Sequence, residues 1–92
     1  MNQKAYYRTK DGQSDYLFSF EEQRNGTWLA FILRQPPYNG RNTGSHPTHR
    51  LRKVGRDYVC WNSRLGSQDE ARQIAALWAD ATQKYIKNGT RF

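Results

Sequence analysis

The stretch that decides the fold is Ser67–Gly89, which has the sequence SQDEARQIAALWADATQKYIKNG. Ser67 and Glu70 have the spacing of a capping box, in which two side chains satisfy backbone N–H groups at the start of a helix. Gly89 is typical of a helix end, since glycine adopts the left-handed conformation without strain. Residues at helical spacing form an apolar face: Ala71, Ile74, Leu77, Trp78, Ala81 and Tyr85. We therefore predict one helix over residues 67–88.

The opposite face of this helix is predicted to be polar, and it carries Asp69, Arg72, Ala76, Asp80, Gln83 and Lys87. Trp78 lies at the centre of the apolar face. We expect Trp78 in the core, packed on a sheet beneath Phe31 or its neighbours. A helix with one apolar face must bury that face against another element, and the preceding segments should provide it.

Five segments before the helix have the composition of β-strands. Asp15–Phe20 places three aromatic side chains on one face, whereas Thr27–Leu33 is apolar on both faces and should lie centrally. The predicted strands occupy residues 5–10, 15–20, 27–33, 49–54 and 58–62. We expect a single α+β domain over residues 1–92, a three- to five-stranded antiparallel sheet with one C-terminal helix packed on one face.

Such a sheet leaves its other face for solvent or a ligand. Thirteen aromatic residues are also more than one thin core can hold. We therefore expect some of the following side chains to be exposed or half-exposed: Tyr6, Tyr7, Tyr16, Trp28, Tyr38, Tyr58 and Trp61.

Length and composition narrow the class of protein. Ninety-two residues suffice for one domain with a modest core. Cys60 is the only cysteine, which excludes an internal disulfide and favours a reducing compartment. No apolar run approaches the roughly 20 residues of a membrane span, and the polar start MNQKAYYRTK lacks the pattern of a signal peptide. We expect a cytoplasmic protein with no membrane partner.

The positive charge is concentrated in one segment. Residues 23–56, which we call the basic segment, contain seven Lys and Arg and no acid, whereas the rest of the chain has eight of each sign. The formal net charge of +7 therefore comes from this segment alone. Charge confined to one stretch indicates a surface that binds an anion, and nucleic acid is the first candidate. A solvated edge strand beside a disordered loop tip is the plainer explanation.

Two parts of the basic segment carry the predicted contacts. In the predicted strand 49–54, Arg50 and Arg52 share one face about 7 Å apart, which suits neighbouring phosphates. The long loop over residues 34–48 has side chains that contact phosphate and sugar, and Tyr38 could stack on a base. The predicted nucleic-acid-binding residues are Arg24, Arg34, Tyr38, Arg41, Arg50, Arg52, Lys53 and Arg56.

Other reactive side chains support no comparable prediction. His46 and His49 lack a third and fourth ligand for a metal ion. Cys60 is interpreted as a small buried hydrophobe, since no base accompanies it at the spacing of a nucleophile. Paired carboxylates and phosphate-binding glycine loops are absent from the sequence. We therefore predict no metal, no cofactor and no enzymatic activity.

The order of the predicted elements resembles the arm-site-binding domain of tyrosine integrases and the apetala-type plant DNA-binding domain. Two local sequences carry the resemblance, Gly26-Thr27-Trp28-Leu29-Ala30 at a strand start and Ser67-Gln68-Asp69-Glu70-Ala71 at the helix start. Domains of this kind insert the face of a three-stranded sheet into the major groove of DNA. The resemblance implies DNA rather than RNA as the ligand, and it implies these contacting residues: Arg24, Arg34, Arg50 and Arg52.

The sequence as a whole predicts a non-enzymatic nucleic-acid-binding module, such as an accessory protein of a phage or mobile element. One alternative is a protein-interaction or inhibitor protein that docks a basic, aromatic-rich face on a partner. Another is a binder of a small anion such as a nucleotide, which would need convergent groups in a closed pocket. The oligomeric state and the choice between single and double strands stay open.

Overall fold

The computed structural model describes residues 2–92, which form five β-strands and two helices. The elements are β1 (Asn2–Arg8), β2 (Asp15–Glu22), β3 (Trp28–Arg34), α1 (Ser45–Thr48), β4 (Arg50–Lys53), β5 (Arg56–Val59) and α2 (Gln68–Asn88). The strand pairs are antiparallel, and the strands lie in the order β1-β2-β3-β5-β4. The predicted α+β fold, an antiparallel sheet that carries a C-terminal helix, is confirmed.

Helix α2 begins and ends as its sequence predicts. The backbone N–H of Glu70 donates to the Ser67 hydroxyl at 3.1 Å, and the Glu70 carboxylate accepts from the backbone N–H of Gly66 at 2.9 Å. At the other end Gly89 has a φ of 77°, and its N–H donates to the Tyr85 carbonyl at 2.9 Å. These two caps satisfy backbone groups that have no partner inside the helix.

The buried face of α2 is rotated slightly from the predicted one. Its buried residues are Ala71, Ala75, Trp78, Ala79, Thr82, Gln83, Tyr85 and Ile86. Leu77, predicted to be inside, is 56% exposed, and Gln83, predicted to be outside, is buried. The Gln83 amide accepts from the Tyr16 hydroxyl at 3.1 Å and donates to the Ser14 hydroxyl at 2.9 Å. Helical spacing of apolar residues cannot predict that Gln83 is buried, because hydrogen bonds rather than hydrophobicity stabilise it in the core.

Trp78 is buried between α2 and the sheet, as predicted. Its ring makes edge contacts with Tyr16 and Phe18 at centroid distances of 5.8 and 6.0 Å. Phe31 itself is not beneath Trp78, because its pairing with Ser19 places it on the opposite face of the sheet. The aromatic residues of β2 therefore form the main contact surface for the helix.

The β4–β5 hairpin has a tighter turn than the sequence predicts. Val54 and Gly55 have positive φ values of 49° and 75°, which is typical of the two-residue turn that matches strand twist. Lys53 therefore pairs directly with Arg56. As a result β5 covers Arg56–Val59 instead of the predicted residues 58–62.

The connection between β3 and β4 packs along α2, and we call its residues 35–48 the packed loop. It contains the helical turn α1, although the sequence predicted no regular element there. Trp78 donates from Nε1 to the Thr48 carbonyl at 3.0 Å, and the Tyr85 hydroxyl donates to the Asn42 carbonyl at 2.8 Å. These bonds satisfy backbone carbonyls that packing removes from water.

One residue pair, Phe31 with Tyr58, joins β5 to β3. In addition to this backbone pairing, the Arg56 guanidinium on β5 donates to the Glu21 carboxylate near the end of β2. A flat sheet would place Arg56 level with Leu33, so the hairpin must twist strongly across β3 to reach Glu21. The β4–β5 hairpin thus continues the sheet beyond β3, and its Arg56 side chain reaches across Phe31 to Glu21.

Candidate nucleic-acid interface

The sheet face opposite α2, which we call the open face, has an excess of positive charge. Strand alternation and register place the following residues on it: Lys4, Tyr6 and Arg8 on β1, Asp15, Leu17, Ser19 and Glu21 on β2, Leu29, Phe31 and Arg34 on β3, Leu51 and Lys53 on β4, and Arg56 and Tyr58 on β5. Five of these are cations and two are acids. Such a surface attracts anions.

An arginine covers the apolar centre of the open face. Phe31 is only 2% exposed, because the Arg56 guanidinium lies 3.8 Å from its ring centroid and the Tyr58 ring packs at 5.8 Å. Arg56 also donates two hydrogen bonds to the Glu21 carboxylate, at 2.7 and 2.9 Å. These bonds raise the pKa of Arg56. The same bonds, together with the Ser19 hydroxyl and the charge of Lys4, hold the pKa of Glu21 below its usual range. Arg56 is thus held in one place while part of its side chain stays exposed.

Three further cations lie on the strands and the turn that adjoin the Arg56–Glu21 pair. Lys53 donates from Nζ to the Gln23 side-chain oxygen at 2.9 Å, which brings β4 beside the turn between β2 and β3. Arg24 follows Gln23 in that turn and is exposed. Lys4 approaches from β1. We call these four residues the basic cluster: Lys4, Arg24, Lys53 and Arg56.

A cleft of about 220 Å³ adjoins the basic cluster. Its wall includes Asn25, which follows Arg24 in the turn between β2 and β3. The Trp61 side chain in this wall is 44% exposed. The name aromatic cleft is used below for the space lined by Leu29, Leu51, Tyr58, Trp61 and Arg64. The basic cluster and the aromatic cleft together form one continuous candidate interface.

Five of the predicted contact residues have exposed side chains. Three of them, Arg24, Lys53 and Arg56, belong to the basic cluster. Arg34 ends β3, whereas Arg24 precedes that strand, so about 20 Å of chain separates the two. Arg52 lies on the other face of β4 and pairs with an Asp57 oxygen at 3.2 Å. The basic segment therefore supplies part of the interface and not all of it.

Tyr38 and Arg50, both predicted to contact nucleic acid, lie inside the protein instead. Tyr38 packs against Tyr85 at a centroid distance of 6.0 Å, and burial raises its pKa. The Arg50 guanidinium lies 4.9 Å from the Tyr38 ring centroid and donates to Gln35 and Asp57, each at 3.2 Å. The acid that neutralises Arg50 lies one residue beyond the basic segment, so a count within the segment missed it.

Arg41, another predicted contact, caps α2 instead of facing the interface. Its guanidinium donates to the Lys87 carbonyl at 3.1 Å and to the Ile86 carbonyl at 3.4 Å. The Asn39 amide donates to the same Ile86 carbonyl at 3.2 Å. A cation at the C-terminus of a helix is stabilising because it faces the negative end of the helix dipole.

Sequence reasoning did not assign Lys4, Trp61 or Arg64 to the site. Trp61 is one of the aromatic residues expected to be exposed, and Tyr6 is another that the structure confirms. Lys4 and Arg64 lie outside the basic segment, and only strand pairing brings them to the same surface. The expected exposure of Trp61 was the one feature of the sequence that could have indicated this part of the site, since single-strand binding sites combine exposed aromatic side chains with cations.

A larger groove of about 720 Å³ lies between the β1–β2 turn and the C-terminal half of α2. Its carboxylates have partners within the fold. Asp80 accepts from the Tyr7 hydroxyl at 2.6 Å and from the Lys10 backbone at 2.9 Å, and burial together with this bond raises the pKa of Tyr7 to about 12. The Thr9 hydroxyl holds the pKa of Asp11 at about 2. The groove carries both positive and negative side chains, and its carboxylates are already bonded within the fold. Its chemistry therefore indicates no particular ligand.

The histidines form an aromatic stack near the end of the chain. The His46 and His49 rings lie 6.4 Å apart, and the His49 ring stacks on Phe92 at 4.4 Å. Within residues 2–92, no three His, Cys, Asp or Glu side chains are arranged to hold a metal ion. In the same part of the chain, no helix is long and apolar enough to cross a membrane.

Comparison with known proteins gives no relative from which a function can be transferred. No family model, curated protein or solved structure matches the chain significantly. The function is therefore inferred from the geometry of the open face, the basic cluster and the aromatic cleft.

Proposed function

We propose that this protein is a non-enzymatic module that binds nucleic acid by its phosphate backbone. The observation that carries the proposal is the basic cluster on the open face. Arg56 binds the Glu21 carboxylate, and Lys4 acts on the same carboxylate by its charge. Lys53 binds Gln23 in the adjoining turn, which also carries the exposed Arg24. Cations so grouped bind phosphates and release the counterions of the nucleic acid, which favours association.

Arg56 is the proposed anchor for a phosphate. An arginine has five N–H donors, and Glu21 accepts from two of the Arg56 donors. The contact with Phe31 holds the guanidinium in place, so little side-chain entropy is lost when a phosphate binds. Lys53 and Arg24 would bind the adjacent phosphates, because both lie at the same end of the open face.

DNA is the proposed polymer rather than RNA. The order of sheet and helix resembles the arm-site-binding domains of integrases, which place a sheet face against DNA. A role as an accessory protein of a phage or mobile element fits the same resemblance. This part of the proposal is an analogy of fold, whereas phosphate binding follows from the charges themselves.

A protein-interaction or inhibitor function is the second candidate. Trp61 is an exposed aromatic side chain on a surface that carries arginines, and binding hot spots are enriched in Trp and Arg. Leu51 and Val54 add exposed apolar area to the same surface. A protein partner with an acidic surface would use the same basic cluster. Binding to nucleic acid of arbitrary sequence separates the two functions, because the second does not require it.

The first test is a titration of labelled single-stranded and duplex DNA at about 50 and 200 mM salt. Four phosphate contacts predict a logarithmic slope of about −3 to −4, since each contributes about 0.7 on single strands and 0.9 on duplex DNA. A slope near zero, or no binding at low salt, would overturn the proposal.

The second test replaces two members of the basic cluster, Arg24→Ala with Lys53→Ala. Loss of two contacts should reduce the magnitude of the slope by about 1.4 to 1.8. The matched control is Lys84→Ala with Arg91→Ala, which removes the same charge from exposed residues beside the larger groove. Equal effects of the two double variants would mean that net charge acts without a defined surface.

A further inference from the structure

We propose that the aromatic cleft holds one unstacked base of single-stranded nucleic acid, with Trp61 as the stacking surface. This inference rests on the proposed function, and it adds a contact that reads the flat face of a base rather than phosphate. It also chooses between the two strand forms that the basic cluster alone could bind.

Trp61 lies in a short segment that is anchored at its two ends. Tryptophan is usually well buried, yet Trp61 is 44% exposed. The preceding residue, Cys60, donates its N–H to the His49 carbonyl at 2.8 Å. Four residues after Trp61, Leu65 accepts from the Trp28 N–H, also at 2.8 Å. These two bonds reduce the ordering that the segment needs before a base stacks on Trp61.

The size of the cleft fits one ring system. Sites that enclose whole small molecules usually measure about 300–1,000 Å³, and this cleft measures about 220 Å³. A free nucleotide would therefore leave its sugar and phosphates outside, whereas a base within a longer strand would place them over the neighbouring cations. In a duplex both faces of each base are covered by adjacent bases, so the cleft requires an unpaired, unstacked base.

Charge around the cleft complements a phosphate backbone. Arg64 lines the cleft and is exposed, and none of the described residues that line it is acidic. Asn25 also lines the cleft, and the residue before it in the chain is Arg24 of the basic cluster. A strand whose base stacks on Trp61 would thus have cations beside the cleft for its phosphates. This pairing of aromatic platform and basic groove is the usual composition of single-strand binding sites.

The experiment compares two ligands that differ only in their bases. A labelled oligothymidylate of about 12 nucleotides is titrated beside an abasic oligonucleotide of equal length, which keeps the phosphates. Stacking of one base predicts that the wild-type protein binds oligothymidylate about 5- to 100-fold more tightly than the abasic strand. Equal affinities would overturn the inference without any variant, and the salt slope would still test the phosphate contacts.

Variants then locate the stacking surface. Trp61→Ala should lose most of the preference for oligothymidylate and leave abasic binding unchanged, whereas Trp61→Phe should retain part of it. The matched control is Leu77→Ala, which removes an exposed apolar side chain from α2. An unchanged preference in Trp61→Ala, or tighter binding of duplex than of single strand, would overturn the inference alone. Absence of binding to either strand would overturn the proposed function with it.

Discussion

The basic segment contains two regions of similar composition that the fold uses in opposite ways. Along the packed loop and into β4, the side chains of Tyr38, Arg41 and Arg50 turn inward. Arg24 in the turn before β3 stays on the surface, and so do Arg52, Lys53 and Arg56 in the β4–β5 hairpin. The packed loop lies along α2, whose last carbonyls accept from Arg41. In the hairpin Arg56 binds Glu21 and Arg52 binds Asp57, and both arginines keep exposed side chains.

This comparison indicates that a run of positive charge does not by itself locate a surface, because the fold turns some of its cations inward and leaves others exposed. Inward cations should affect stability and leave nucleic-acid binding largely intact. Outward cations should affect binding and leave stability largely intact. Each prediction below tests one side of that division.

The largest expected effect is that of Trp78→Ala on the inward side. This substitution removes the contacts with Tyr16 and Phe18 and the hydrogen bond to the Thr48 carbonyl that anchors the packed loop. We expect the free energy of unfolding to fall by about 3–5 kcal/mol in chemical denaturation. Leu77→Ala, on the exposed side of the same helix, should cost less than about 0.5 kcal/mol. Similar losses in the two variants would contradict the observed orientation of α2.

The next effect contrasts Arg50→Ala with Arg52→Ala, because both arginines bind Asp57. The Arg50 side chain is 19% exposed and the Arg52 side chain is 68% exposed. We expect a loss of about 1.5–3 kcal/mol for Arg50→Ala, where charged hydrogen bonds are partly buried. Arg52→Ala should cost less than about 1 kcal/mol. Equal small losses in the two variants would mean that the partly buried bonds of Arg50 add little to stability.

The fold was largely predictable because its signals are local. The cap at Ser67, the glycine stop and the strand composition depend on neighbouring residues, and all are confirmed. The interface was less predictable because its partners are distant in the chain. Asp57 and Glu21 lie outside the basic segment and bind cations within it, and no local pattern indicates which pairs will form. Gln83 illustrates the same limit in the core, where its partners come from β2 and the turn before it.

A smaller effect on binding is expected for Glu21→Gln, which removes the carboxylate that Arg56 binds. The freed guanidinium and the lost negative charge should tighten nucleic-acid binding. The salt slope on duplex DNA should become steeper by up to about 0.9. Weaker binding by this variant would mean that Glu21 serves mainly to position Arg56, and a titration at two salt concentrations distinguishes the two roles.

The same variant gives a pH test of the Arg56 pair. Because the pKa of Glu21 is lowered in the folded protein, its ionisation stabilises the fold above the usual glutamate pKa and this contribution disappears as pH falls. Wild-type protein should therefore exceed Glu21→Gln in stability at pH 7, and the difference should vanish in acid. A difference that persists after the pH has fallen below the folded-state pKa of Glu21 would have to come from packing rather than from charge.

The smallest expected effects are those of Arg41→Ala and Lys53→Ala. Their comparison is the most direct one, because each variant removes one positive charge from the same basic segment. Arg41 binds the last carbonyls of α2, so its loss should cost about 0.3–1 kcal/mol of stability. Lys53 donates only to Gln23 at an exposed position, so its loss should leave stability nearly unchanged. For nucleic-acid binding we expect the reverse order, with Lys53→Ala lowering the salt slope by about 0.7 to 0.9 and Arg41→Ala leaving it unchanged. If the two variants lowered the slope equally, the bound polymer would have to reach α2, and the interface would extend beyond the open face.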